Sequence, residues 1–128
     1  MIKKIETKEA PSAIGPYSQA VKAGDFIFIS GQIPLKPESG EIITGGIKEQ
    51  TNQVLLNLRA IVQSQNLTLA NVVKTTIFLK NMGDFAVVND VYSTYFSEHK
   101  PARATVEVSE LPKNALVEIE AVVYCKSA

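Results

Sequence analysis

Tryptophan is absent from the 128 residues, and cysteine and histidine occur once each, as Cys125 and His99. A single thiol excludes an internal disulfide framework. One cysteine and one histidine cannot supply the paired ligands of a zinc site, and a nucleophile–histidine relay would have only His99 to serve it. Charge of one sign is missing too, since 13 Lys and Arg balance 13 Asp and Glu. No net field concentrates a polyanion, so nucleic acid and anionic membrane surfaces are not expected partners. The densest basic cluster is the pair Lys3-Lys4. No segment approaches the roughly 18–20 consecutive apolar residues that span a bilayer. The opening Met1-Ile2-Lys3-Lys4-Ile5-Glu6 lacks the apolar stretch of a secretory signal. Gly15-Pro16, Gly31, Gly40 and Gly45-Gly46 match neither nucleotide-binding fingerprint. The expectation is a soluble, cytoplasmic, single domain over residues 1–128.

What is present suffices for a core. A chain of 128 residues, 45% of them hydrophobic, buries enough apolar surface to fold without metal or disulfide. Ile47, Thr51, Val54, Leu55, Leu58, Ile61 and Val62 recur at three- and four-residue steps and predict one helix. Phe85, Val88, Val91, Tyr92, Tyr95 and Phe96 predict a second, with Asp84 placed to cap it. Strands are predicted at Ile2–Glu6, Ser18–Ala23, Phe26–Gln32, Val72–Lys80, Ala102–Ser109 and Leu116–Cys125, with a hairpin turn at Gly24-Asp25. The order β-β-β-α-β-α-β-β is an α+β pattern, a single mixed sheet with two helices packed on one face. His99 falls just past the second helix, where a cation caps the C-terminus or stays solvated. Cys125 reads as a small buried hydrophobe.

The strands carry a further implication. Phe26-Ile27-Phe28-Ile29 and Ala121-Val122-Val123-Tyr124 are apolar at successive positions, and successive side chains point to opposite faces. Both faces therefore want cover, and two helices cover one. A second copy of the chain is the economical occupant of the other face, which would set clefts between subunits.

Chemistry is confined to a few polar residues in these strands. Arg103 and Thr105 share one face of their strand, and Glu118 and Glu120 share one face of theirs. A charge in an apolar strand is costly unless paired, so Arg103 and a glutamate read equally as a structural ion pair or as residues at an exposed edge. Alternatively Arg103 is a bidentate clamp for a small carboxylate, with a glutamate as base toward water. Ser30 offers a hydroxyl, and Gly31 permits close approach of a ligand. Spacing leaves both readings open.

Several segments resemble a known family. Ala13-Ile14-Gly15-Pro16-Tyr17-Ser18-Gln19-Ala20 and Ser30-Gly31-Gln32-Ile33-Pro34 are similar to the amino-terminal signature of the reactive-intermediate deaminases, also known as the L-PSP endoribonucleases. The likeness continues through Val73–Leu79, Asp84–Asn89, Pro101-Ala102-Arg103, Val106–Lys113 and Val117–Ala121, covering almost the whole chain in order. The resemblance implies a chorismate-mutase-like homotrimer with three intersubunit clefts and no cofactor. It implies hydrolysis of 2-iminobutanoate and 2-iminopropanoate to 2-oxo acids and ammonia. Arg103 would bind the substrate carboxylate and Glu118 would position the attacking water. Tyr17, Ser30, Gly31, Phe85, Asn89 and Thr105 would line the cleft. Thr105 stands where many relatives carry cysteine, so thiolate chemistry is not expected there. His99-Lys100-Pro101 is compact where some members are longer. Two other functions fit parts of the pattern: a 2-oxo-acid-binding regulatory module, and the endoribonuclease that the family's older name suggests.

Overall fold

The computed structural model describes residues 1–126. Six strands form one sheet: β1 (Ile2–Ile5), β2 (Ala20–Ala23), β3 (Phe26–Gln32), β4 (Val72–Leu79), β5 (Ala102–Glu107) and β6 (Val117–Tyr124). Their order across the sheet is β1-β2-β3-β6-β4-β5. Only β4 and β5 run parallel; the other neighbours are antiparallel. The crossover between β4 and β5 carries helix α2 (Phe85–Tyr95), and α1 (Ile47–Gln63) joins β3 to β4. The expected element order is therefore the observed one. Strand ends differ by one or two residues; β2 begins at Ala20, with the carbonyls of Ser18 and Gln19 both accepting from Ser30.

Both helices lie on one face. Val54, Leu55, Leu58, Ile61 and Val62 of α1 meet Ile27, Ile29, Ile119, Ala121 and Val123 in a single cluster with no significant solvent exposure. Each of those strand residues alternates with one on the other face, as the period of two requires. That other face carries Phe28, Val106, Val122 and Tyr124, and Phe28 is 50% exposed. The two-sided apolar pattern is thus half covered within one chain.

One local expectation gives way. Asp84 occupies the N-cap position of α2, but its side chain makes no capping bond. A 3-10 turn, Met82–Asp84, runs directly into the helix and holds Asp84 in a helical conformation rather than the extended one that a side-chain cap needs. His99 is exposed, in keeping with its solvated reading, and its Nε2 also lies 2.5 Å from the Val72 carbonyl at the start of β4.

Polar residues inside α1 fasten the loop after β3. Asn57 is buried and donates from Nδ2 to the carbonyls of Ile33 (3.3 Å) and Leu35 (3.0 Å), while its Oδ1 accepts from Gln53 (2.9 Å). Asn57→Ala strands two loop carbonyls and is expected to lower unfolding free energy by about 1–3 kcal/mol. Urea denaturation reads this, and an unchanged midpoint would show that the loop does not depend on the amide.

Candidate functional site

The residues singled out in the sequence fall into two groups on opposite faces of the sheet. Across β4 and β5 the register pairs Thr75 with Arg103 and Ile77 with Thr105. Across β4 and β6 it pairs Ile77 with Ile119 and Phe78 with Glu118. Directly paired residues share a face, so Arg103 and Thr105 lie on the helix side and Glu118 on the open side. Arg103 and Glu118 therefore stand apart within one chain.

The Glu118 group is built by a bulge. Ile29 pairs with Ala121 and Gln32 with Ile119, so Ser30 and Gly31 together oppose Glu120 alone. The extra residue re-aims the strand, as bulges beside functional sites do. It brings Gly31 against Glu118 so closely that a Cβ on Gly31 would stand 2.3 Å from Glu118 Oε2. Only glycine fits. Ser30 Oγ donates to the Ser18 carbonyl at 2.6 Å, so its proton is committed and its free lone pair can only accept. Tyr17 joins the group through a turn at Gly15, whose φ of +129° suits glycine. Tyr17, Ser30, Gly31 and Glu118 line an open cavity of about 440 Å³ whose other walls include Ile14, Ile33, Leu35 and Lys113.

Glu118 is half-buried with no ion-pair partner among the described residues. Burial raises its pKa above the ordinary carboxylate value, and neighbouring Glu120 raises it further.

The Arg103 group sits under α2. Nη1 of Arg103 donates to Asn89 Oδ1 at 2.7 Å. Its guanidinium carbon lies 5.4 Å from the Phe85 ring centre and 4.9 Å from that of Tyr92. Among the described residues the only ion pair is Lys4–Glu6, at 3.2 Å. The ion-pair half of the structural reading of Arg103 is thereby overturned, while its other half holds: Arg103 is exposed on the edge strand β5, its guanidinium oriented by neutral partners. Thr105 lies two residues along the same face. No group of three or more His, Cys, Asp or Glu among the described residues could hold a metal ion.

Two residues that neighbour the site escaped the sequence reading. Gln19 is buried, and its Nε2 donates to the carbonyls of Thr7, Ala10 and Pro11 while Oε1 accepts from Thr7 N–H. It thus pins the loop that leads to Tyr17. Tyr92 counted only as one member of an apolar helical stripe; its phenol and its place beneath Arg103 depend on the fold.

The raised pKa of Glu118 has a consequence for stability. A carboxyl that binds its proton more tightly folded than unfolded loses stability as pH rises through the unfolded and then the folded pKa. Glu118→Gln is expected to raise the melting temperature at pH 7, with the gain vanishing below about pH 4, where both states are protonated. Equal melting curves at pH 7 would contradict the burial cost.

A family model described as Endoribonuclease L-PSP matches residues 7–125. The chain is 58% identical over 120 residues to a RutC family protein of Pyrococcus horikoshii, covering 94% of this chain and 95% of that protein. It is 49% identical over 120 residues to the 2-iminobutanoate/2-iminopropanoate deaminase of Mus musculus, covering 94% of this chain and 89% of the mouse protein. The crystal structure of E. coli TdcF with bound serine superposes with a TM-score of 0.91 at 42% identity, covering 97% of this chain and 99% of that one. With the family model spanning nearly all of the fold, and relatives matching it along their own full lengths, the chain belongs to the endoribonuclease L-PSP family, whose members include imine deaminases.

Proposed function

We propose that the chain hydrolyses 2-imino acids such as 2-iminobutanoate and 2-iminopropanoate to 2-oxo acids and ammonia, without a cofactor. The observation that carries this reading is the unneutralised guanidinium of Arg103, aimed by Asn89 and two aromatic rings. Such a fork suits a small carboxylate. The deaminase activity of the mouse relative supports the substrate class.

Because Arg103 and Glu118 lie on opposite faces, the complete cleft takes Arg103, Phe85, Asn89 and Thr105 from one protomer. Tyr17, Ser30, Gly31 and Glu118 come from its neighbour. The apolar open face, with Phe28 half exposed, supports an assembly of copies, and the family resemblance favours three.

In that cleft Arg103 holds the carboxylate and Glu118 accepts a proton from water as the oxygen bonds to C2 of the protonated imine. The C=N π pair moves to nitrogen and gives a neutral carbinolamine. Glu118 returns the proton to nitrogen, the C–N bond breaks, and the hydroxyl proton leaves with ammonia as ammonium while the 2-oxo acid forms. A protonated imine is a strong electrophile, so orientation and charge matching supply most of what the enzyme must add.

Supplying the imine from a threonine dehydratase and following its loss tests the reading. Arg103→Ala removes two charge-assisted bonds and is expected to cost about two orders of magnitude or more in kcat/KM. No acceleration by wild type, with tight binding of 2-oxobutanoate, would favour a binding module instead. Salt-sensitive RNA cleavage lost in cleft variants would favour the ribonuclease. Mixing unfolded Arg103→Ala and Glu118→Gln chains and refolding them together should restore part of the activity, because mixed assemblies contain intact clefts; no recovery sinks the shared cleft.

Glu118 must be ionised to act as base, so kcat/KM should fall as pH drops through its raised pKa, above the usual glutamate value of about 4.3. Glu120→Gln removes one cause of the rise, and its acid limb should move to lower pH. An acid limb that does not move would exclude Glu118 as the group titrating.

A further inference from the structure

Phe85, Asn89 and Tyr92 stand at steps of four and three along α2, one stripe of the helix, and all three reach Arg103. Arg103 belongs to β5, the edge strand of the sheet, and is exposed. A long side chain at such a place samples many rotamers, and fixing it on ligand binding costs entropy. Asn89 holds one nitrogen but leaves the guanidinium free to turn about that bond. The ring of Tyr92, 4.9 Å from the guanidinium carbon, supplies a plane to lie against.

That ring is itself fixed. Its hydroxyl lies 2.7 Å from Thr75 Oγ1, and Thr75 is wholly buried in β4 as the register partner of Arg103. Phe96 packs on the ring with centres 4.7 Å apart. Tyr92 thus bridges from α2 across β4 to the side chain on the neighbouring strand, with one end bolted to the core.

We propose that Tyr92 is a positioning residue for the carboxylate clamp, its ring locked by Thr75 so that the Arg103 fork is set before substrate arrives. The proposal rests on the reading of Arg103 as that clamp. Tyr92 touches neither water nor the reacting carbon. The carboxylate is held alike in the ground state and the transition state, so a loosened clamp raises KM and leaves kcat nearly unchanged.

The experiment measures kcat and KM in the dehydratase-coupled assay, with calorimetric titration of 2-oxobutanoate and a melting curve for each variant. Tyr92→Leu removes the ring and is expected to raise KM and the 2-oxobutanoate Kd about tenfold, with kcat within about threefold of wild type. Thr75→Val combined with Tyr92→Phe removes both hydroxyls, leaves no buried one unpaired, and keeps the ring. This pair should melt near the wild-type temperature yet still show KM raised about threefold. A folded Tyr92→Leu with KM within about twofold of wild type overturns the proposal. So does a loss confined to kcat. Should Tyr92→Leu fail to fold, the double variant decides, and wild-type KM there overturns the role. A wild-type protein that neither turns over imine nor binds 2-oxobutanoate removes the functional reading first, and the positioning role with it.

Discussion

In a β-strand the side chain changes face at every residue, and the registers across β5, β4 and β6 carry that alternation unbroken from Lys74 to Leu79. Arg103 is tied by Thr75 to the helix face, and Glu118 by Phe78 to the open one. No rotamer of either side chain passes through a hydrogen-bonded sheet. The separation is a property of the backbone, and a one-residue slip would exchange both faces of the core. The proposed chemistry therefore needs a second chain for a reason that precedes any detail of the interface.

The bulge in β3 is the other fixed point. Without it, Ser30 and Gly31 would continue the alternation of Phe28 and Ile29, and one of them would face α1. With it, two residues oppose one, and the strand bends so that backbone approaches Glu118. The missing side chain of Gly31 is what admits the carboxylate. That carboxylate is half-buried without a countercharge, which costs stability at neutral pH. Proteins accept such costs where a group must stay reactive, and a basic carboxylate beside an open cavity is a case with a clear physical cause.

Much of this was legible in the sequence. Period-3.6 and period-2 patterns located both helices and all six strands, and the doubled apolar runs of β3 and β6 exposed a face needing cover. The pairs Arg103 with Thr105 and Glu118 with Glu120 were each placed on one face correctly. Their relation to one another was not readable, because it depends on inter-strand register and on a parallel β4–β5 pairing that leaves no mark in local pattern. Tyr92 was hidden for a different reason. At helical spacing beside Val88 and Phe96 it reads as core. Gln19 lies within a motif, but an amide clamp requires a loop folded back on it. Asp84 had a favoured capping residue type and the right position, yet the 3-10 turn before it imposed a different backbone.

The choice of partners around Arg103 decides how such a clamp can work. At 4 Å and an effective dielectric near 20, a resident carboxylate would attract the guanidinium by about 4 kcal/mol. An incoming carboxylate would have to displace it and would gain little net binding. Asn89 and the rings of Phe85 and Tyr92 orient the fork without cancelling its charge. The one protein carboxylate in the proposed chemistry, Glu118, is kept on the far face of the same sheet. Within a single chain the acid and the base can never satisfy each other. Neither has an ion-pair partner among the described residues, and a substrate bearing both a carboxylate and an iminium centre is complementary to the two together.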